Sequence, residues 1–491
     1  MKRVFVVSDL HLGLGRLPQT GRYHRLESFF FDREFRDFIN YLIENTREEP
    51  ARLVLGGDIV DFLRIDIAPD KRGRGERIKP EGHDGKRGLG FRMKAILWKA
   101  RAVTKAHVRF FASLALWIEA GNEIVWLPGN HDPETRLSAV QEVFREAIRK
   151  QCIRDSSVVD EALIFRPWFH FEKNRLWVEH GNQSDPENAF EYPFASELPE
   201  LTCQCFEDEV DMPVGSWFQR YVYNGLGNVT FQVPAVGARR PYALWLLLNR
   251  PQALWTLVRS YIPLWRRLIN EKCEDDHALA EARMEETHCA KLEKIGAATS
   301  LTTDVLADLS RPLKSTRIGL PSTFVSVYLR RTLRNAALRG LTSVFGLILL
   351  TLAFIATLDA SWCVLTKSLV LVALMFVLIA AFARFIVKFW LGAVQPDIAS
   401  KQRGRQHAER IAETVGVPVV ILGHYHSEDR FPLPSGGFYI NTGTWVPVWN
   451  PGDQLRERVQ FSFCDLRGRE PKLRYWNPDR NSARRVILME E

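Results

Sequence analysis

Five short stretches of the sequence carry side chains able to hold a metal ion. They are Asp9-Leu10-His11, Gly57-Asp58 with Asp61 in GGDIVD, Asn130-His131-Asp132 in PGNHD, His180-Gly181, and His424-Tyr425-His426. Each follows an apolar run with strand character: KRVFVVSD, ARLVLGGD, NEIVWLPGNHD, RLWVE and VVILG. Open α/β sheets gather their ligand sites at the carboxyl edges of the strands, so residues more than 400 positions apart can meet there. A ligand set of two carboxylates, an amide oxygen and four imidazoles can be drawn from these stretches, a hard and borderline donor set that suits Mn, Fe or Zn rather than Ca. Two such ions about 3.5–4 Å apart can share a hydroxide and clamp the oxygens of a phosphoryl group. One carboxylate must then bridge them, and Asp58 is the natural candidate. A nucleophilic Ser or Cys is unnecessary in that chemistry. Singly the motifs are weak: a lone His after a strand is usually structural, and Asp61 could simply cap the helix that follows it. The argument lies in the ordered set, each member at a strand end.

The elements that must position these residues follow from patterning. Residues 1–190 alternate strand and helix signals, with helical spacing over Phe35–Asn45, which implies a layered α/β sandwich. Residues 403–414 read as a helix, VPVVILGHYH as strand then loop, and NTGTW and VQFSFCDL as closing strands. Residues 274–310 read as a polar helix with a solvated face. The 491 residues are 46% hydrophobic and 25% charged, which excludes disordered, collagen-like and coiled-coil classes. The net charge of +8 is local: residues 71–101 hold eleven basic and three acidic residues, so the rest is close to neutral, unlike a protein that coats nucleic acid. That basic stretch reads as a flexible Gly-rich loop with a helix beginning near Phe91. It suits either closure over an anionic substrate or attraction to anionic lipid head groups. Seven cysteines without a CxxC pair give no disulfide framework and point to a reducing compartment.

Two runs have membrane character. Nineteen uncharged residues lie between Arg339 and Asp359, and sixteen between Lys367 and Arg384. Nineteen helical residues span about 28 Å, close to the hydrocarbon layer. The second run reaches that length if Lys367 or Arg384 snorkels. Arg330, Arg331, Arg334 and Arg339 precede the first run, and Arg384 and Lys388 end the second, so the positive-inside rule places both flanks in the cytoplasm. The expectation is a two-span protein of the inner or plasma membrane with its catalytic part in the cytosol. Upstream, residues 240–270 set Trp245, Trp255 and Trp265 among Leu and Arg, a composition suited to a membrane interface.

The motif set D-x-H, G-D-x-x-D, G-N-H-D, His-Gly and G-H-x-H resembles the calcineurin-like metallophosphoesterase family over about residues 1–190 and 400–450. The resemblance implies a double β-sandwich flanked by helices, and two divalent metal ions. Asp9, His11 and His426 would hold one ion, Asn130, His180 and His424 the other, and Asp58 would bridge. His131 would contact the phosphate and protonate or stabilise the departing oxygen, Asp132 would orient His131, and Asp61 would give outer support. Four segments follow: 1–190 and 396–491 as two parts of the phosphoesterase domain, 191–335 as a helical Trp-rich insertion, and 336–395 as the transmembrane hairpin. The family includes enzymes that cleave the pyrophosphate of UDP-diacylglucosamine, although the soluble form typically has Arg at the position of His131. A lipid-linked or nucleotide-activated phosphodiester or pyrophosphate is therefore the expected substrate class. A nucleic-acid or cyclic-nucleotide phosphodiesterase and a non-catalytic membrane scaffold are the alternatives. Nucleic acid fits less well, because the tryptophans do not alternate with Lys or Arg.

Overall fold

The computed structural model describes residues 1–18, 20–46, 49–66, 90, 93–195, 213–221, 224, 275–311, 401–447, 459 and 461–485, with isolated positions at 252 and within 364–373. Two sheets lie face to face. The first takes in β1 (Arg3–Val7), β2 (Ala51–Gly56), β3 (Glu123–Leu127), β4 (Leu163–Phe165), β10 (Ser462–Arg467), β11 (Glu470–Asn477) and β12 (Ser482–Arg485), in the order β12-β11-β10-β1-β2-β3-β4. The second takes in β5 (Phe169–Glu172), β6 (Leu176–Glu179), β7 (Val419–Leu422), β8 (Asp429–Pro432) and β9 (Phe438–Asn441), in the order β5-β6-β7-β9-β8. Strands β1 to β4 run parallel, as do β6, β7 and β9.

Alternation along each strand makes the sandwich. In β1, Val4 and Val6 face the second sheet while Phe5 and Val7 join the helical core outside. Val54 and Val125 repeat the inward pattern, and Leu176, Val178, Val419 and Ile421 answer from the second sheet. Strands apolar on both faces belong in a parallel sheet covered on both sides. The outer face of the first sheet is covered by α1 (Asp32–Glu44), α2 (Met93–Ala106), α3 (Val108–Glu119), α4 (Ser138–Arg149) and the short α5 (Val158–Ala162). The chain continues with α6 (Val214–Tyr221), α7 (Asp275–Thr299) and α8 (Thr303–Ser310), and residues 401–415 form α9. Leu292, Ile295, Leu306 and Leu309 of α7 and α8 join Ala408, Ile411 and Ala412 of α9 on the outer face of the second sheet. The 274–310 stretch is therefore not simply a solvated face: it carries part of the helical layer that completes the sandwich.

The expected hairpin over 336–395 lies outside the described residues apart from scattered positions between 364 and 373, as do nearly all of the Trp-rich stretch 240–270 and the basic stretch 71–92 apart from position 90. Among the described residues no helix is long and apolar enough to cross a membrane.

One buried charge cluster ties the outer layer together. His107 precedes α3; its Nδ1 lies 3.0 Å from Asp32 at the start of α1, and its Nε2 lies 3.6 Å from Glu27. Glu27 also accepts backbone N–H bonds from Gly13, Gly15, Ser28 and Phe29. Burial disfavours the charged imidazole, but the hydrogen bonds and charges of Asp32 and Glu27 outweigh it and push the pKa of His107 up to about 10. A folded-state value above the unfolded one stabilises the native state fully below the unfolded pKa, and the contribution is lost as pH rises through about 10. The expected result is a urea midpoint that falls between about pH 6.5 and pH 10 in wild type. In His107→Gln that slope flattens, and the protein is less stable at neutral pH by on the order of 3 kcal/mol.

Candidate metal centre

The parallel register aligns Val7 with Leu55 and Leu55 with Trp126, so β1, β2 and β3 end together. Strands β6 and β7 bring His180 and the GHYH loop to the same edge. All ten residues expected at a site lie in these loops: the side chains of Asp9, His11, Asp58, Asp61, Asn130, Asp132, His180 and His424 are nearly or fully buried around a single pit, with His131 and His426 at its lip. His426 keeps 24% of its side-chain surface and His131 keeps 17%, so the pit opens along the edge they share.

Three groups of donors converge within ligand distance of one another: Asp9, His11 and His426; His11, Asp58 and His131; and Asp58, His180 and His424. Asp58 Oδ2 lies 3.2 Å from His180 Nε2 and 3.8 Å from His11 Nε2, so one carboxylate faces both outer groups. Asn130 Oδ1 joins the second at 3.1 Å from His180 Nε2. Each imidazole is turned by its other nitrogen. His180 Nδ1 is 3.2 Å from the Gly56 carbonyl, and His11 Nδ1 is 3.1 Å from Asp61 Oδ2. Those contacts favour a ring proton on Nδ1 and turn Nε2 into the pit, where it can serve as the donor to a bound cation.

Several observations test whether cations fit. His11 Nε2 and His426 Nε2 face each other at 3.1 Å; once the His11 proton is on Nδ1, a shared proton or cation must sit between them. Burial pushes the Asp58 carboxyl up, but His180 and His131 outweigh it and hold it well below the usual range. Reciprocally, Asp58 and Asp9 overcome burial and push His180 up to about 9, and Asp61 and Asp58 do the same for His131. The buried carboxylates demand positive charge, and the donor set suits divalent Mn, Fe or Zn. The backbone is strained to the same end. Of eight non-glycine residues with positive φ among the described residues, five are Asp9, His11, Asp58, His424 and His426. Close approach also dictates Gly129, where a Cβ would lie 2.1 Å from Asp58 Oδ1.

Two roles differ from expectation. Asp132, expected to orient His131, turns back into the loops and accepts N–H bonds from Gly129, Asp58, Ile59 and Val60 at 2.6–3.2 Å. Asp61 takes the place beside His131: its Oδ1 lies 3.0 Å from His131 Nδ1, while Oδ2 reaches His11. It also caps the turn Phe62–Arg64 through the Arg64 N–H, so the capping reading and the site reading are both satisfied by one carboxylate.

Sequence reasoning missed the supports. Asp185, five residues after His180, lies 3.1 Å from His424 Nε2 and accepts from Asn188 Nδ2 at 2.7 Å. Asn188 Oδ1 in turn accepts from Asn130 Nδ2 at 3.4 Å. A single turn therefore steadies both Asn130 and His424. The signal available was a carboxylate in the polar run after His-Gly. Asp185→Ala is expected to weaken metal retention by about 10–100-fold with the fold intact, read as metal content after dialysis against graded chelator and by circular dichroism. Ser8, Thr444 and Trp445 hold the Asp9 loop: Ser8 bonds the carboxylate, Thr444 Oγ1 donates to the Asp9 carbonyl at 2.7 Å, and Trp445 N–H donates to it at 3.2 Å.

Comparison with known proteins agrees with this geometry. The family model for calcineurin-like phosphoesterases matches residues 2–288, which takes in four of the five motifs. No curated protein matches the sequence. The fifth motif, His424-Tyr425-His426, lies beyond the matched span and is brought back to the other four by β7. With more than half of the chain matched, and the metal-competent side chains of all five motifs meeting in one pit, the chain belongs to the calcineurin-like phosphoesterase family.

Proposed function

We propose that this phosphoesterase is a dinuclear metal-dependent hydrolase of a phosphodiester or pyrophosphate, carried on a lipid-linked or nucleotide-activated substrate and met at a membrane surface. The observation that carries the dinuclear reading is the sharing of Asp58 between two donor groups. Asp9, His11 and His426 would hold one ion, and Asn130, His180 and His424 the other. The bound ions would supply Lewis-acid polarisation of the phosphoryl oxygens and lower the pKa of the attacking water. The protein's own part is positioning and proton transfer. His131, with Nδ1 held by Asp61, presents Nε2 at the lip of the pit to contact the phosphoryl group and protonate the leaving oxygen. Asp132 keeps the Asp58 and Asn130 loops in register.

The membrane part of the reading rests on the two apolar runs and their basic flanks. In the second run and its approach, Val364, Leu369 and Val372 are 80%, 63% and 46% exposed, apolar side chains that a bilayer would cover. The test is flotation of the full chain with vesicles after alkaline washing, followed by detergent purification, metal stripping and Mn-dependent hydrolysis of bis-p-nitrophenyl phosphate. Co-flotation with Mn-dependent turnover, extended to a lipid-linked diphosphate, is the expected result. Recovery in the washed supernatant overturns the anchored reading. A turnover preference for single-stranded DNA with steep salt dependence overturns the lipid-linked substrate.

A further inference from the structure

The turn after His180-Gly181 is held from two sides. Inward it carries Asp185 against His424, Asn188 against Asn130, and Ser184, whose Oγ lies 2.8 Å from the Tyr425 hydroxyl in the GHYH loop. Outward it meets helices of the long stretch that separates His180 from His424. The Gly215 N–H of α6 donates to the Glu187 carbonyl at 2.6 Å, and a Cβ on Gly215 would lie 2.0 Å from Asn188 Oδ1. Lys291 Nζ of α7 donates to the Phe194 carbonyl at 3.0 Å. The Phe194 ring stacks on His288 of the same helix, with 5.1 Å between ring centroids.

Gln183 joins the two sides, and its buried amide is used at both ends. Oε1 accepts the Phe190 N–H at 2.8 Å and Nε2 donates to the Phe190 carbonyl at 3.1 Å, which closes the turn around Asp185 and Asn188. Nε2 also donates to the Ser310 carbonyl at 2.5 Å. Ser310 ends α8, where the last carbonyls have no partner within the helix. Breaking this bond leaves a buried carbonyl and a buried amide donor unmet, so the turn and the helix end hold each other. Helix α8 is seated in turn by Leu306 and Leu309, fully buried in the cluster on the outer face of the second sheet. The candidate ligands of the other ion are held differently: Asp9 by Ser8, Thr444 and Trp445, and His11 by Asp61.

We propose that this turn ties occupancy of the Asn130, His180 and His424 site to the seating of α7 and α8, with Gln183 as the positioning residue. The inference rests on the two-ion reading and assigns control of one of the two sites to the insertion. Displacing α8 withdraws the Asp185 and Asn188 supports and weakens that ion, while the Asp9, His11 and His426 site keeps its own. The coupling is reciprocal by thermodynamic necessity, so filling the tied site holds α8 down.

The test is calorimetric titration of Mn into the metal-stripped full chain in detergent, which reads two binding steps. Asn130→Ala marks which step belongs to the tied site. Gln183→Ala is expected to weaken that step by about 10-fold or more, the range for losing an outer support of a ligand, and to leave the other within about 3-fold. The reciprocal readout is amide hydrogen exchange over residues 303–310. Mn slows it in wild type and loses that effect in Gln183→Ala. Equal weakening of both steps, an unchanged tied step in the folded variant, or α8 exchange indifferent to Mn in wild type each overturns the tie. Should Gln183→Ala fail to fold, Lys291→Met carries the same comparison, since it removes the Phe194 contact from the insertion side. A wild type that takes up a single ion overturns the two-ion reading instead, and exchange of α8 with and without that ion then decides the tie.

Discussion

Replacing Asp58 with alanine is expected to lower phosphodiester turnover by on the order of 10³-fold or more and to reduce bound metal. Asp58 is 1% exposed, and its two oxygens do different work. Oδ2 faces His180 and His11, one from each outer donor group, while Oδ1 accepts the His131 N–H at 2.8 Å. Alanine removes the carboxylate common to both groups and frees the loop that carries Asn130 and His131. Asp58→Asn separates charge from shape. The amide can still accept from His131 and so keeps the loop, but it is neutral where the surrounding imidazoles call for an anion. Turnover should fall in both variants, with thermal stability held better in Asn than in Ala. Wild-type turnover and wild-type metal content in Asp58→Ala would sink the two-ion reading, because the Asp58 carboxylate is the group that lies against both His11 and His180.

The placement of that carboxylate was legible in the sequence for a simple physical reason. Strands of a parallel sheet end at one edge, and the residue after an apolar strand is the one that edge presents. Val4-Phe5-Val6-Val7 and Val419-Val420-Ile421-Leu422 are apolar on both faces because both faces are covered. Their successors Asp9, His11, His424 and His426 can only project beyond the edge. Helix α7 was harder. Its described inward residues Met284, His288, Leu292 and Ile295 form a stripe about one residue wide per turn, narrower than the usual apolar face, so it reads as solvated. Asp185 was hidden because nothing in its spacing distinguishes a carboxylate that steadies His424 from one that closes a turn; it also accepts the Glu187 N–H of that turn. Asp132 was misassigned through adjacency. A neighbour in sequence looks like a natural partner for His131, but Asp132 turns back toward the N–H groups of the Asp58 loop, and Asp61 arrives from seventy residues upstream.

That exchange of roles separates two variants that a motif reading would treat alike. His131→Ala is expected to cut turnover by about 10²–10⁴-fold, the span of a general acid, while leaving metal content near wild type, because the outer donor groups are complete without it. The loss should be smaller for a substrate with a good leaving group such as p-nitrophenolate, which needs little protonation, and larger for an alkyl ester. Asp61→Asn should follow the same leaving-group pattern, since the amide cannot hold both His131 Nδ1 and His11 Nδ1 as the carboxylate does. Asp132→Ala should behave differently. Its carboxylate is fully buried and receives four backbone N–H groups, so truncation strands donors at Gly129, Asp58, Ile59 and Val60. Stranded buried donors cost about 1–3 kcal/mol each when no water replaces the lost partner. The expected signature is therefore a large fall in thermal stability and loss of turnover on every substrate regardless of leaving group. If Asp132→Ala instead kept wild-type stability and showed the leaving-group dependence of His131→Ala, Asp132 rather than Asp61 would be the residue that sets the proton on His131.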